Sequence, residues 1–184
     1  MTEYGVTRVI DLRADSETLK DPEGDTSMVR RIPLVEDELF AELNEQPGMR
    51  ERYVLILERS RPAFGSVFNA IADAEGAVLV HCFAGKDRTG LVAAMMLSLA
   101  GVDEDAIGAD YAETDLQLAT KYEEWLASAA PERLASMRDE LRCPPEWMLD
   151  AMEHLDAKWG GVAGYLEAAG VSSSALARLE SRLD

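Results

Sequence analysis

Cysteine and histidine are scarce in this chain, at two of each in 184 residues: Cys82 and Cys143, His81 and His154. Two cysteines are too few for a disulfide scaffold. The chain is also long enough to bury a core of its own, so the pattern fits a reducing cytoplasm in which a thiol can be kept for chemistry. Positive charge is scarce as well, with 18 Lys and Arg against 35 Asp and Glu and a formal net charge of -17. A field of that sign repels nucleic acid and anionic lipid at long range, so neither is expected as a partner, and any anionic substrate needs a local cationic site. There is no apolar run of membrane-spanning length; the longest, Leu91 to Ala100, is too short. Met1 to Arg8 lacks the apolar stretch of a secretory signal. The composition therefore implies a soluble, cytoplasmic, single globular domain over residues 1–184, without repeats or low-complexity tracts.

Other familiar chemistries are missing too. Gly85-Lys86-Asp87 is not the GK[ST] of a nucleoside triphosphatase loop, and there is no G-x-S-x-G elbow. Asp103 to Gly108, DEDAIG, lacks the ligand spacing of a calcium loop and reads as a helix start. Cys143 before a double proline and His154 on a surface helix read as structural. No metal or other cofactor is called for.

Hydropathy patterning gives an α/β order. A strand is expected in VTRVIDLR from Val6, Val9, Ile10 and Leu12, then a loop from Ala14 to Asp25 with Pro22 and Gly24, then a second strand in MVRRIPLV. Leu39, Leu43, Tyr53, Leu57, Phe64, Phe68 and Ile71 recur at mostly helical spacing, broken at Pro47-Gly48 and Pro62, which predicts two or three helices. The continuous apolar run Ala77 to Val80 reads as a strand buried on both faces. LVAAMMLSLA after it reads as a helix at the centre of the domain. Asp103 to Arg142 reads as helical with a break near Pro131. Pro144-Pro145 opens a helix with Met148, Met152, Leu155 and Trp159 on one face, ended by Gly160-Gly161. A last helix, opened by Ser172 to Ser174, carries Leu176, Leu179 and Leu183.

Between the third strand and the central helix lies HCFAGKDRTG, His81 to Gly90, in which five residues separate Cys82 from Arg88. A glycine-containing turn that runs from a strand into a helix N-terminus can aim successive backbone N–H groups, here Phe83, Ala84, Gly85, Lys86, Asp87 and Arg88, at one anion. The same positive field favours a thiolate over a thiol, which makes Cys82 the candidate nucleophile. Arg88 has the planar fork that can grip two phosphate oxygens and follow them into a transition state. Thr89, from its position, can donate to the sulfur, and His81 can brace the loop through a backbone contact. Arg13, Arg30 and Arg31 stand outside the site.

This loop resembles the phosphate-binding signature of the bacterial tyrosine-protein phosphatase family with the HCxAGKDRTG loop, the broad-specificity mycobacterial and listerial type. The upstream GVTRVIDLR, the IGADYAETD after the central helix and PPEWMLDAMEHLDAKWGGVAGYLEAAG near the end resemble family segments too. The resemblance implies a phosphotyrosine-phosphatase-like α/β domain, a small mostly parallel sheet flanked by helices with a helix-rich C-terminal half. It implies Cys82 as nucleophile, Arg88 as phosphate clamp, and Lys86 and Asp87 as loop residues for substrate binding and catalysis. Family members usually carry a further segment with an FRDLGG-like motif ahead of the first strand. Without it the edge it would cover falls to some other element, such as a partner subunit in a homo-oligomer, or the substrate pocket is more open.

A leaving group needs a proton, and no tryptophan-proline-aspartate motif supplies the acid. Asp87 inside the loop is the first candidate; Glu36 and Asp37, after the second strand, are the alternatives. The expected activity is hydrolysis of phosphomonoesters through a phosphocysteine, with phosphorylated protein or phosphoinositide as substrate; Lys86, as an extra cation, motivates the wider range. Two other readings use the same loop: a non-catalytic phosphate-binding module, and an arsenate reductase or sulfur transferase, for which Cys143 is a poor second thiol.

Overall fold

The computed structural model describes residues 4–20 and 27–182. Its three strands are β1 (Val6–Asp11), β2 (Val29–Arg31) and β3 (Ala77–His81), all parallel, in the order β2-β1-β3. Parallel neighbours need long crossovers. One contains the short helix α1 (Asp15–Lys20); the other contains α2 (Leu39–Asn44), α3 (Met49–Arg59) and α4 (Arg61–Ala72). After β3 come α5 (Asp87–Leu99), α6 (Glu104–Gln117) and α7 (Ala119–Ser128), a 3₁₀ turn at Pro131–Arg133, then α8 (Leu134–Leu141), α9 (Pro145–Trp159), α10 (Val162–Ala168) and α11 (Ser173–Ser181). The parallel sheet and helix-rich second half are those expected from the sequence.

Two expectations are corrected. The strand buried on both faces is β1, whose Val9, Ile10 and Asp11 are all buried, and not β3. β3 is an edge strand: Ala77 is exposed and Leu79 keeps 43% of its surface open to solvent. An apolar run shows a capacity for burial, but the position in the sheet decides whether both faces are covered. The predicted loop from Ala14 to Asp25 begins as α1. That helix buries no side chain, so it has no apolar period to betray it. It has Asp15 and Glu17 in its first turn and Lys20 in its last, charges that complement the helix dipole. Pro22, Gly24 and Asp25 of the expected loop fall outside the described residues.

Three helices fill the second crossover. Pro62 opens α4 near its N-terminus, where its missing N–H costs no bond, and Gly48 precedes α3. Their apolar positions, Tyr53, Leu57, Phe64 and Phe68, are wholly buried. The helical stretch from Asp103 breaks at Leu118 as well as near Pro131. Asp103 caps α6 by accepting from Ala106 N at 3.0 Å. α9 carries the buried Met148, Met152 and Leu155 and stops at Gly160, whose φ of 71° is the left-handed conformation of a helix C-terminus. α10, unforeseen in the sequence, follows directly; its Tyr165 donates to the Leu57 carbonyl at 2.7 Å and meets Phe64 edge to face at 5.8 Å. Ser172 caps α11, and Leu176 and Leu179 are buried while Leu183 lies outside the described residues.

α4 and the end of α10 approach closely at Gly65. A Cβ there would stand 2.1 Å from the Ala169 carbonyl oxygen, a backbone atom that cannot swing away. Gly65→Ala gains helix propensity of about 1 kcal/mol but forces this contact apart. Urea denaturation is expected to show net destabilisation of about 1–3 kcal/mol; a neutral or stabilising result contradicts the packing described.

Candidate active site

The chain leaves β1 toward β2 on one side and returns to β3 on the other, so the loops at the C-terminal ends of β1 and β3 diverge around a crevice. Open parallel sheets bind ligands at such a switch point. β1 delivers Leu12 to Glu17 there; β3 delivers His81 to Arg88. Leu12 N donates to the His81 carbonyl at 2.9 Å, which stitches the two loops at their roots.

Cys82 follows the last residue of β3 and is 6% exposed. Gly85 has φ 78°, a conformation that side chains resist, and it lets the chain turn between Cys82 and α5. Among the described hydrogen bonds, no backbone N–H from Phe83 to Thr89 donates to a protein acceptor, and Gly90 N, to the Lys86 carbonyl at 2.8 Å, is the first that does. A run of unused amides around a left-handed glycine at the N-terminus of the 13-residue α5 makes a site for an anion.

Arg88, on the first turn of α5, is 9% exposed. Its Nη1 and Nη2 bind Glu17 Oε2 and Oε1 at 2.5 and 2.7 Å, and Nη1 also approaches the Leu12 carbonyl at 3.4 Å. Among the described residues no acceptor meets Nε–H or the second N–H of Nη2, which leaves both for an oxyanion. Burial works against the guanidinium charge, but the Glu17 hydrogen bonds and the negative charge of Cys82, Glu17 and Asp87 outweigh it and hold its pKa above the usual value. Burial likewise pushes the Glu17 carboxyl up, and it is overcome by the hydrogen bond and charge of Arg88, the Ala14 N–H and Arg13, so its pKa lies below the ordinary 4.5.

A buried pair supports this arm. Arg13 Nη2 lies 2.9 Å from Asp11 Oδ2, and Asp11 Oδ1 also accepts from the Arg13 backbone N–H at 2.9 Å. The turn after β1 thereby sends the chain back toward the loop and sets the start of α1. Ser16 N donates to Asp37 Oδ2 at 3.2 Å, fixing α1 from the other side. His81 Nδ1 lies 3.2 Å from the Cys82 carbonyl, the backbone contact anticipated for it.

The remaining candidates separate. Asp87 Oδ1 accepts from Tyr53 Oη at 2.6 Å and lies 3.4 Å from Lys86 Nζ. Lys86 is 3% exposed; its ammonium donates to the Glu140 carbonyl and stands 5.6 Å above the Trp147 ring, so it ties the loop to the α8–α9 junction. The hydroxyl of Thr89 is buried without a hydrogen-bond partner among the described residues, the Cys82 sulfur included. Phe83 is 58% exposed and stacks on Trp125 of α7, 6.1 Å between centroids. Glu36 and Asp37 are exposed, and no described hydrogen bond joins them to the Cys82–Arg88 loop. Cys143 is fully buried; burial raises its thiol pKa to about 11 despite the opposing charge of Lys86 and the Tyr122 hydrogen bond. Both cysteines are free, and no group of three or more His, Cys, Asp or Glu among the described residues is arranged to hold a metal ion.

Sequence reading missed Glu17, Tyr53, Tyr111 and Trp125. Only Glu17 left a trace, as a carboxylate shortly after a strand end that points at the loop. Glu17→Gln keeps the shape and removes the charge that orients Arg88. Titration with orthophosphate is expected to show about 10- to 100-fold weaker binding, the worth of a charge-assisted bidentate pair. Since the Glu17 pKa is lowered on folding, its contribution is full above pH about 4.5 and is lost as pH falls through the folded value. Unchanged affinity in the variant contradicts the role.

Comparison with known proteins accords with this geometry. The sequence model of the tyrosine phosphatase family matches residues 1–184. A tyrosine-protein phosphatase of Nostoc commune is 34% identical over 200 residues, covering 97% of this chain and 66% of its own length. The triple specificity protein phosphatase PtpB of Mycobacterium tuberculosis is 34% identical over 119 residues, covering 58% of this chain and 43% of its own. The chain thus spans less than two thirds of either relative. With its match along the whole length, and a cysteine and a clamped arginine at the two ends of the loop between β3 and α5, this chain belongs to the tyrosine phosphatase family.

Proposed function

We propose that the chain is a single catalytic domain, a cysteine-dependent protein tyrosine phosphatase working in the reducing cytoplasm. The observation that carries the reading is the loop itself: a thiol at its start, unused amides along it, and at its end a guanidinium held by Glu17 with N–H groups to spare.

In the first step the Cys82 thiolate attacks phosphorus while the P–O bond to the leaving group breaks, and Asp87 gives its proton to the departing oxygen. The loop amides and Arg88 hold the equatorial oxygens as charge redistributes over them, which is where preorganised donors lower a barrier most. In the second step Asp87, now a carboxylate, takes a proton from water as the water oxygen attacks phosphorus. The S–P bond breaks, and phosphate and thiolate are released. Asp87 is preferred to Glu36 and Asp37 because it lies in the loop, and no described hydrogen bond joins them to it.

Phosphotyrosine is the first substrate class. Aryl phosphates have a comparatively good leaving group, and Phe83 with Trp125 offers an aromatic wall beside the loop. Phosphoserine, phosphothreonine and phosphoinositide come second. The extra cation that motivated them, Lys86, is buried on Glu140 and Trp147 and acts on a substrate only through its field; the triple specificity of the mycobacterial relative supports a range wider than one substrate class.

Phosphate release from a phosphotyrosine peptide, a phosphoserine peptide and a phosphoinositide vesicle tests both levels. Wild type is expected to turn over the first, Cys82→Ser none of them, and Arg88→Lys to lose about 100- to 1,000-fold in kcat. Tight orthophosphate binding without turnover by wild type establishes the non-catalytic alternative instead.

A further inference from the structure

The two oxygens of Asp87 have different surroundings. Oδ1 accepts from Tyr53 Oη at 2.6 Å and faces Lys86 Nζ at 3.4 Å, whereas no described hydrogen bond reaches Oδ2. Tyr53 belongs to α3 and is wholly buried. Its hydroxyl stands 2.5 Å from that of Tyr111 on α6, itself 3% exposed, with the rings edge to face at 6.2 Å.

The direction of this chain follows from valence. A phenol has one proton, and Tyr53 commits its own to a carboxylate that when ionised only accepts. Tyr111 must then donate to Tyr53, so the order is Tyr111 O–H to Tyr53 O–H to Asp87 Oδ1. Burial, joined by the negative charge of Asp87, raises both phenol pKa values, so neither loses its proton in the working range. The helix that carries Asp87 is shaped for the arrangement: at Gly90, one turn on, a Cβ would stand 3.2 Å from Tyr111 Cδ2 and 3.3 Å from Met148 Cε, tighter than ordinary contact.

We propose that Tyr53, backed by Tyr111, is a positioning residue that assigns the labile proton of Asp87 to Oδ2 and stabilises the carboxylate left when that proton departs. The inference rests on Asp87 as the general acid. As Oδ2–H transfers to the leaving-group oxygen and the P–O bond breaks, negative charge grows on Asp87. The Tyr53 bond becomes charge-assisted at that moment and strengthens in the transition state rather than in the bound substrate. In the second step the same bond holds Oδ1 still while Oδ2 accepts the proton of water. No proton leaves either tyrosine at any stage.

The first-step role is read in kcat/KM, which reports the reaction only as far as the phosphocysteine and is blind to its hydrolysis. With the full chain and a series of aryl phosphates, Tyr53→Phe is expected to lower kcat/KM for phenyl phosphate about 10- to 100-fold. For 2,4-dinitrophenyl phosphate kcat/KM changes less than about 3-fold, because leaving groups of low basicity depart without a proton. Tyr111→Phe, which keeps the bond to Asp87 and removes its backing, shifts the same ratio in the same direction by less, and serves should Tyr53→Phe not fold. In an Asp87→Asn background, adding Tyr53→Phe is expected to slow phenyl phosphate hydrolysis no further. An equal loss for every leaving group, or additive losses in the double variant, overturns the inference while leaving the phosphatase reading intact. An Asp87→Asn enzyme with no leaving-group dependence removes its premise, and a wild type without turnover removes the reading beneath both.

Discussion

A guanidinium as buried as that of Arg88 needs an opposite charge in a fixed place, and here that charge is Glu17. Desolvation of an unpaired charge costs several kcal/mol, so the pair has to form for the loop to close at all. Its geometry, one carboxylate oxygen on each terminal nitrogen, also fixes the plane in which the remaining N–H groups point. The strand order contributes to this: because β1 and β3 are neighbours and their outgoing chains diverge, a residue six positions after β1 meets a residue seven positions after β3. Asp11, Arg13 and Asp37 serve the same end by holding the turn and the helix from which Glu17 reaches across.

The chain carries a net charge of -17, yet its catalytic candidates gather cations. Lys86 and Arg88 are both buried, each with a carboxylate within hydrogen-bonding or ion-pair range, so their charge acts through protein rather than through water. The surrounding acidic field makes non-specific anion binding weak. On the proposed reading a phosphate is retained by geometry, by amides that have no other acceptor among the described residues and by a clamp already oriented.

The loop is legible because its cysteine, glycine and arginine lie within ten consecutive residues, where order along the chain is order in space. Cys82, Gly85 and Arg88 declare a turn between a strand and a helix without any knowledge of the rest. Glu17 and Tyr53 stand 71 and 34 positions from their loop partners, and no local pattern brings them together. Tyr53 reads as one more apolar position in a helical period, which it also is. Lys86 shows the same limit: the sequence offers it as an extra cation for the substrate, and only the fold shows a carbonyl at Glu140 and an indole at Trp147 drawing it inward. The misplacement of the doubly buried strand has a similar source, since periodicity cannot say which strand lies in the middle.

α1 combines importance and weakness. It holds the residue on which the orientation of Arg88 depends, but it is six residues long and tucks no side chain into the interior. What fastens it is polar: the Glu17 pair, the buried Asp11–Arg13 pair at its root, and exposed bonds such as Ser16 to Asp37. Segments of that kind open at far lower free energy than a packed core. Mild denaturant or heat should therefore release Arg88 from Glu17 while the helical signal is still that of the intact fold.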